Sequence, residues 1–401
     1  MLHLIKLSCR QLHIILIGML LAYFVSQGLR GYTLTFFATL SSLVFIGPLD
    51  KQILSSQLKS CFVVVLILGG ISICCAVEYL FYHNYSVLKF YFSFHVAFSL
   101  GALLLYFRGR QARRADFFTL IISFVCGVLI FNLLIILEVP RDEILKEGLG
   151  GVVRSLTVQR GGVVYLGTFL IENHIIIPYS CAIGLSLCGA AICLEGVLTR
   201  LGVFAFGALS MFPAFYTHTR APFLVFAMVL LVLCFTSLWQ RKNILMVAVT
   251  LVSVLIVVLA AIARDYSLLL RFTDLGYGDG RFILWQEAIA KLLLSGNDLM
   301  ISSYAHNYIL DIGLDYGRGL ALCVFILTAV IFVMLVRLLL KYHRLNFKSA
   351  FLLCFFLVGL MLSMVNPPST MSHMVYGFGL ASLPYFNFLN SILREPRLSL
   401  K

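Results

Sequence analysis

Charge is what this chain has least of: 12% of its 401 residues are Asp, Glu, Lys or Arg, about half the share of an ordinary soluble domain. That scarcity, with an apolar content of 61% and a mean hydropathy of +1.01, excludes a soluble globular protein. It also excludes a disordered or nucleic-acid-binding protein in spite of a net charge of +13, so no nucleic-acid partner is expected. The 17 acidic residues form no cluster of the kind that holds a divalent cation, and no metal or other cofactor is expected. Cysteine pairs in loops are missing as well. Apart from Cys9, the 11 cysteines lie inside apolar runs and read as small hydrophobes, not as disulfide partners or metal ligands. Lys6 and Arg10 precede the first apolar run, but no small-residue cleavage site follows, so an uncleaved first span is expected.

What the chain does contain is a succession of apolar runs. A span needs about 20 residues to cross roughly 30 Å of hydrocarbon, and about twelve spans fit: 11–27, 32–49, 60–82, 87–107, 117–137, 171–194, 198–216, 221–239, 243–262, 319–340, 349–365 and 374–393. The expected fold is all-α, a single integral membrane domain over 1–401. Placing both termini in the cytoplasm puts 18 of the 30 basic residues on that side, mostly in short loops such as 108–114 and 341–348. This satisfies the positive-inside rule. Two outer segments are then long, 138–170 and 263–318, the second with room for short helices. The basic residues left outside are nine Arg and three Lys, and Arg is the side chain suited to bidentate phosphate binding. The competing explanation is a set of solvated loop charges paired with residues such as Asp142, Asp265 and Asp279. Glu78, Lys89, Asp116 and Glu172 fall near span ends, which leaves almost no charge for the proton relay or ion-coupled path of a transporter.

Three outer stretches could carry chemistry. In Thr217-His218-Thr219-Arg220-Ala221-Pro222, Thr219 is a plausible N-cap and Pro222 fits a first helical turn, so free backbone N–H groups and Arg220 would face an anion together. The alternative is an Arg snorkelling to lipid headgroups. In Gly276-Tyr277-Gly278-Asp279-Gly280-Arg281 no strand precedes the glycines, so a dinucleotide fingerprint is not supported. The stretch reads as a turn at Gly280-Arg281 opening a helix anchored at the interface by Trp285. In Ser302-Ser303-Tyr304-Ala305-His306-Asn307, an N-cap at Ser303 would place His306 in a first helical turn, where the positive helix end favours a neutral imidazole able to act as a base. Asp311 and Asp315 fall well around that helix from His306 and are not obvious partners for it. The alternative is a structural histidine near a helix start.

These pieces resemble the O-antigen ligase and polymerase superfamily of bacterial envelope glycosyltransferases. The matching residues are Thr219-Arg220-Ala221, the Gly280-Arg281-x3-Trp285-x2-Ala288 segment, and His306-Asn307-x2-Leu310 followed by Gly317 and Gly319. Gly167-Thr168-Phe169-x3-Asn173 is a weaker match without the usual Pro before Asn. The resemblance implies a GT-C-type inverting transferase of the inner membrane that works at the periplasmic face. It would move a glycan from an undecaprenyl-pyrophosphate-linked donor to lipid A-core. Arg220 and Arg281 would hold the pyrophosphate, with Arg160 a third candidate, and His306 would activate the acceptor hydroxyl. A polymerase joining a second lipid-linked repeat unit shares that logic. A lipid-linked-sugar flippase is the alternative from another class.

Overall fold

In the computed structural model the described residues are 9–27, 58–106, 110–137, 164–166, 169–171, 180–191, 193–194, 196–216, 222–223, 225–229, 276–294, 305, 307–340, 345–364 and 369–392. They are mostly helical: α1 Cys9–Gln27, α2 Leu58–Leu80, α3 Val87–Tyr106, α4 Arg110–Leu137, α5 Leu185–Ala191, α6 Val197–Ala208, α7 Phe212–Tyr216, α8 Gly276–Leu294, α9 Tyr308–Tyr316, α10 Arg318–Leu339, α11 Phe347–Met364 and α12 Thr370–Ile392. Six stretches among them are long and apolar enough to cross a membrane: Cys61–Phe81, Val87–Leu105, Asp116–Leu134, Val197–Ala214, Arg318–Leu339 and Phe347–Met364. The chain is a helical, membrane-embedded protein, and these six coincide with the third, fourth, fifth, seventh, tenth and eleventh expected spans. The expected spans at 32–49 and 243–262 lie outside the described residues.

Burial separates the helices by role. α11 is buried along nearly its whole length, as is α12 from Met371 to Phe386, which suits helices apolar on every side. α2 and α10 instead expose Phe62, Val65, Leu66 and Ile73, and Leu322, Phe325 and Phe332, a surface suited to lipid tails. α1 packs on α4, α3 on α12, α5 on α6 and α11, and α2 on α10. α4 starts at Arg110, seven residues before the expected span, and its Asp116 is paired with Arg10 of α1. A 3-10 turn at Leu209–Met211 separates α6 from α7, where Pro213 occupies the first turn of the new helix.

Two expectations need correction. The sixth span does not begin at residue 171, because Phe169–Ile171 is a strand, β2, paired antiparallel with β1, Val164–Leu166. Among the described residues that follow, helix is present from 180. A β-branched residue such as Ile171 favours extended backbone, and an apolar run by itself does not separate strand from helix. The hairpin is a small departure from the expected all-α fold.

Candidate functional site

The site is built around the short helix α9. Asn307 caps it, with extended backbone at φ −140° and ψ 121°, and its Oδ1 accepts from the N–H groups of Ile309 at 3.1 Å and Leu310 at 3.3 Å. The expected cap at Ser303 is therefore wrong. Asn is as good an N-cap as Ser, and Asn307 has the free amides of α9 within reach. His306 immediately precedes this cap in sequence instead of falling in the first turn of the helix.

Asp311, in the first turn of α9, is wholly buried at 0% exposure. Its carboxylate reaches back past the cap. Oδ1 accepts from the Ala305 N–H at 2.7 Å and Oδ2 from the Asn307 N–H at 3.0 Å. The two oxygens thus hold the amides on either side of His306, while the negative charge sits near the positive end of α9. Helical angles kept Asp311 from being read as a partner of the His306 region. The contact is to the backbone, which side-chain angles around a helix do not reveal.

A second tie runs to α8. The Trp285 indole N–H donates to the Ala305 carbonyl oxygen at 2.7 Å. Ala305 is therefore held at both its N–H and its C=O. α8 and α9 also pack closely, because a Cβ on Gly313 would fall 2.8 Å from a methyl carbon of Leu292. Arg281 lies on α8 one helical turn before Trp285. α8 starts at Gly276, ahead of the turn expected at Gly280-Arg281. Glycines cost a helix about 1 kcal/mol each, and tertiary contacts such as the fully buried Ala288 outweigh that.

The base of α9 is fastened to the helices beneath it. The Tyr308 hydroxyl is hydrogen-bonded to Nδ1 of His373 on α12 at 2.8 Å, and its ring stacks on Tyr376 with centroids 4.6 Å apart. Burial pushes the Tyr308 phenol well above its ordinary range, so it stays protonated. Tyr376 Oη lies 3.0 Å from Thr328 Oγ1 and 3.2 Å from Ser363 Oγ. α9 ends at Gly317, whose φ of 97° suits glycine. A Cβ there would collide with the Glu78 carboxylate, which leaves that carboxylate at the N-terminus of α10. Asn84 Nδ2 donates to the Asp315 carbonyl at 2.6 Å.

Of the residues expected to carry the chemistry, Arg160, Arg220 and His306 lie outside the described residues. Arg281 is placed on α8 by its backbone alone. Of the weaker Gly167-Thr168-Phe169 match, Phe169 opens β2, and Gly167, Thr168 and Asn173 lie outside the described residues. Among the described residues no three His, Cys, Asp or Glu side chains are grouped to hold a metal ion. Asp311, Tyr308 and His373 are additions to the sequence reading. Asp311 had a signal, an acidic residue following an Asn cap by four positions, but His373, one residue before the twelfth expected span, had none that points to Tyr308.

No protein-family model and no curated protein matches this chain.

Proposed function

We propose that this protein is a membrane glycosyltransferase of the O-antigen ligase type. It takes a glycan from undecaprenyl pyrophosphate and transfers it to a sugar hydroxyl of lipid A-core at the periplasmic face of the inner membrane. The full reading includes about twelve spans, a GT-C architecture and cytoplasmic termini. His306 removes the proton from the acceptor hydroxyl as its oxygen attacks the anomeric carbon. The bond to the pyrophosphate breaks from the opposite side, and the leaving group departs with the electron pair. A pyrophosphate is already a good leaving group, so it needs its charge balanced more than it needs an acid. Arg220 and Arg281, with Arg160 as a third group, supply that balance. The polar membrane surface holds both lipid substrates.

One observation supports the reading above the rest. Ala305 is tied to Trp285 on α8 and to Asp311 on α9, so the helix that carries Arg281 and the stretch that carries His306 form one connected unit. A general base needs such support to stay aimed at its substrate.

The test is glycan transfer by purified protein in vesicles containing lipid-linked donor and core acceptor. His306→Ala, Arg220→Ala and Arg281→Ala are each expected to lower the rate by about 100-fold or more, and the wild-type rate is expected to persist in excess EDTA. Wild-type rates in the three folded variants would overturn the assignment. Loss in EDTA with rescue by Mg²⁺ or Mn²⁺ would overturn its metal independence. In cells, deletion that removes all O-antigen from core supports the ligase, whereas core bearing a single repeat unit supports the polymerase.

A further inference from the structure

α2 and α10 meet through a reciprocal pair of small residues. Gly70 and Cys74 are four apart on α2, and Gly319 and Cys323 are four apart on α10, so each helix presents a small-xxx-small face. The faces pair in opposite directions. A Cβ on Gly319 would lie 3.0 Å from the Cys74 sulfur, and one on Gly70 would lie 3.1 Å from the Cys323 sulfur. Each thiol therefore fills the space left by the other helix's glycine. The two glycines thus bring the two thiols to the same stretch of the helix interface.

We propose that Cys74 and Cys323 are a disulfide-forming pair that joins α2 to α10. The reading of the cysteines as inert hydrophobes rested on their lying in apolar runs, where linear spacing cannot show that two helices bring two of them into contact. Their neighbour Cys75 is a poor competitor. It is buried, at 3% exposure, whereas Cys74 and Cys323 are partly exposed and open to a reagent that enters between the helices. Along the helices Cys74 is about 6 Å from Glu78 and Cys323 about 9 Å from Gly317. The bond would therefore lie just beneath the Glu78–Gly317 joint and fix α2 against the start of α10, one residue beyond α9. This inference concerns the helix pair alone and does not depend on the transferase reading.

The oxidant is a disulfide. An apolar aromatic disulfide such as 4,4′-dithiodipyridine reaches headgroup depth. One cysteine thiolate attacks it, forms a mixed disulfide and expels one pyridinethione. The second thiolate attacks the mixed disulfide, forms the Cys74–Cys323 bond and expels a second pyridinethione, so two thiols lose two electrons and two protons in all.

The test uses purified full-length protein in detergent, reduced and then given one equivalent of the reagent. The expected result is two thiones released per chain, no pyridyl group retained, and a protein mass about 2 Da lower, with peptide sequencing placing the bond between Cys74 and Cys323. Cys75→Ser is expected to behave as the wild type. Cys74→Ser and Cys323→Ser should each keep a pyridyl adduct and form no bond between α2 and α10. Pyridyl groups retained on both Cys74 and Cys323 of the wild type, a bond that uses any other cysteine instead, or Cys74 and Cys323 both left as free thiols would overturn the proposal. Peptide sequencing of the wild type decides the matter even if a serine variant fails to fold.

Discussion

Two buried carboxylates each hold another part of this chain in place, and they do it with opposite chemistry. Asp116 on α4 meets the guanidinium of Arg10 on α1, a charge answered by a charge across a helix pair. Asp311 on α9 answers two neutral backbone amides, those of Ala305 and Asn307. The first contact joins two helices whose shapes are already set by their own hydrogen bonds. The second shapes an irregular stretch that has no ladder of its own. An ion pair of the first kind can be traded for apolar packing, whereas the backbone amides held by Asp311 are removed by no substitution short of proline and must find an acceptor.

The comparison breaks most readily at Asp311. Asp311→Ala is expected to leave two amides without their acceptor, at about 1–3 kcal/mol each, and so to release residues 305–307 while the helices stay folded. Amide hydrogen exchange should speed up at 305–307 by about 100-fold, and glycan transfer should fall with it. Asp311→Asn sharpens the point. The amide keeps one acceptor oxygen but turns an NH₂ donor towards a donor, so this near-isosteric change should recover little of the loss. Unchanged exchange at 305–307 in both variants would show that Asp311 does not hold the segment.

The Arg10–Asp116 pair should behave differently. Both side chains are largely buried, at 17% and 7% exposure, and the Arg10 Nε finds no hydrogen-bond partner among the described residues. Asp116→Leu or Arg10→Met alone strands one buried charge and is expected to cost about 3 kcal/mol. The double variant replaces both charges by apolar groups and should cost about 1 kcal/mol or less. Equilibrium unfolding in mixed micelles measures all three. Additive losses in the double variant would remove the contrast with Asp311.

The two ties also differ in how far the sequence announces them. Arg10 and Asp116 stand out as charges at the ends of apolar runs, and the helices that carry them were legible from those runs to within a few residues except where α4 extends back through the basic residues before the fifth span. The Asp311 clamp was not legible, because its partners are main-chain groups and any residue type supplies those. The cap at Asn307 was missed for a related reason. Ser302, Ser303 and Asn307 all have cap chemistry, and only the position of α9 against α8 and α12 selects among them. His373 shows the same limit from the core side, since nothing in its sequence neighbours points to the Tyr308 hydroxyl that it meets in space.

The smallest expected effect lies one turn beyond Asp311. Asp315 is on the same short helix, yet its carboxyl is pushed above the usual carboxylate range by burial, and its carbonyl, not its side chain, takes the Asn84 bond. A carboxyl whose folded value is raised favours the folded state when it is protonated. That contribution is complete below the ordinary aspartate range and is lost as pH rises through the raised value. Asp315→Asn removes the group that must be desolvated as a charge, so at neutral pH the variant should melt slightly higher than the wild type. The gain should shrink as the pH is lowered and disappear once Asp315 is protonated in both states. A thermal melt series from pH 4 to pH 8 reads the difference directly. A gain that grew towards acid would mean that the Asp315 carboxylate, like that of Asp311, is held by donors in its charged form.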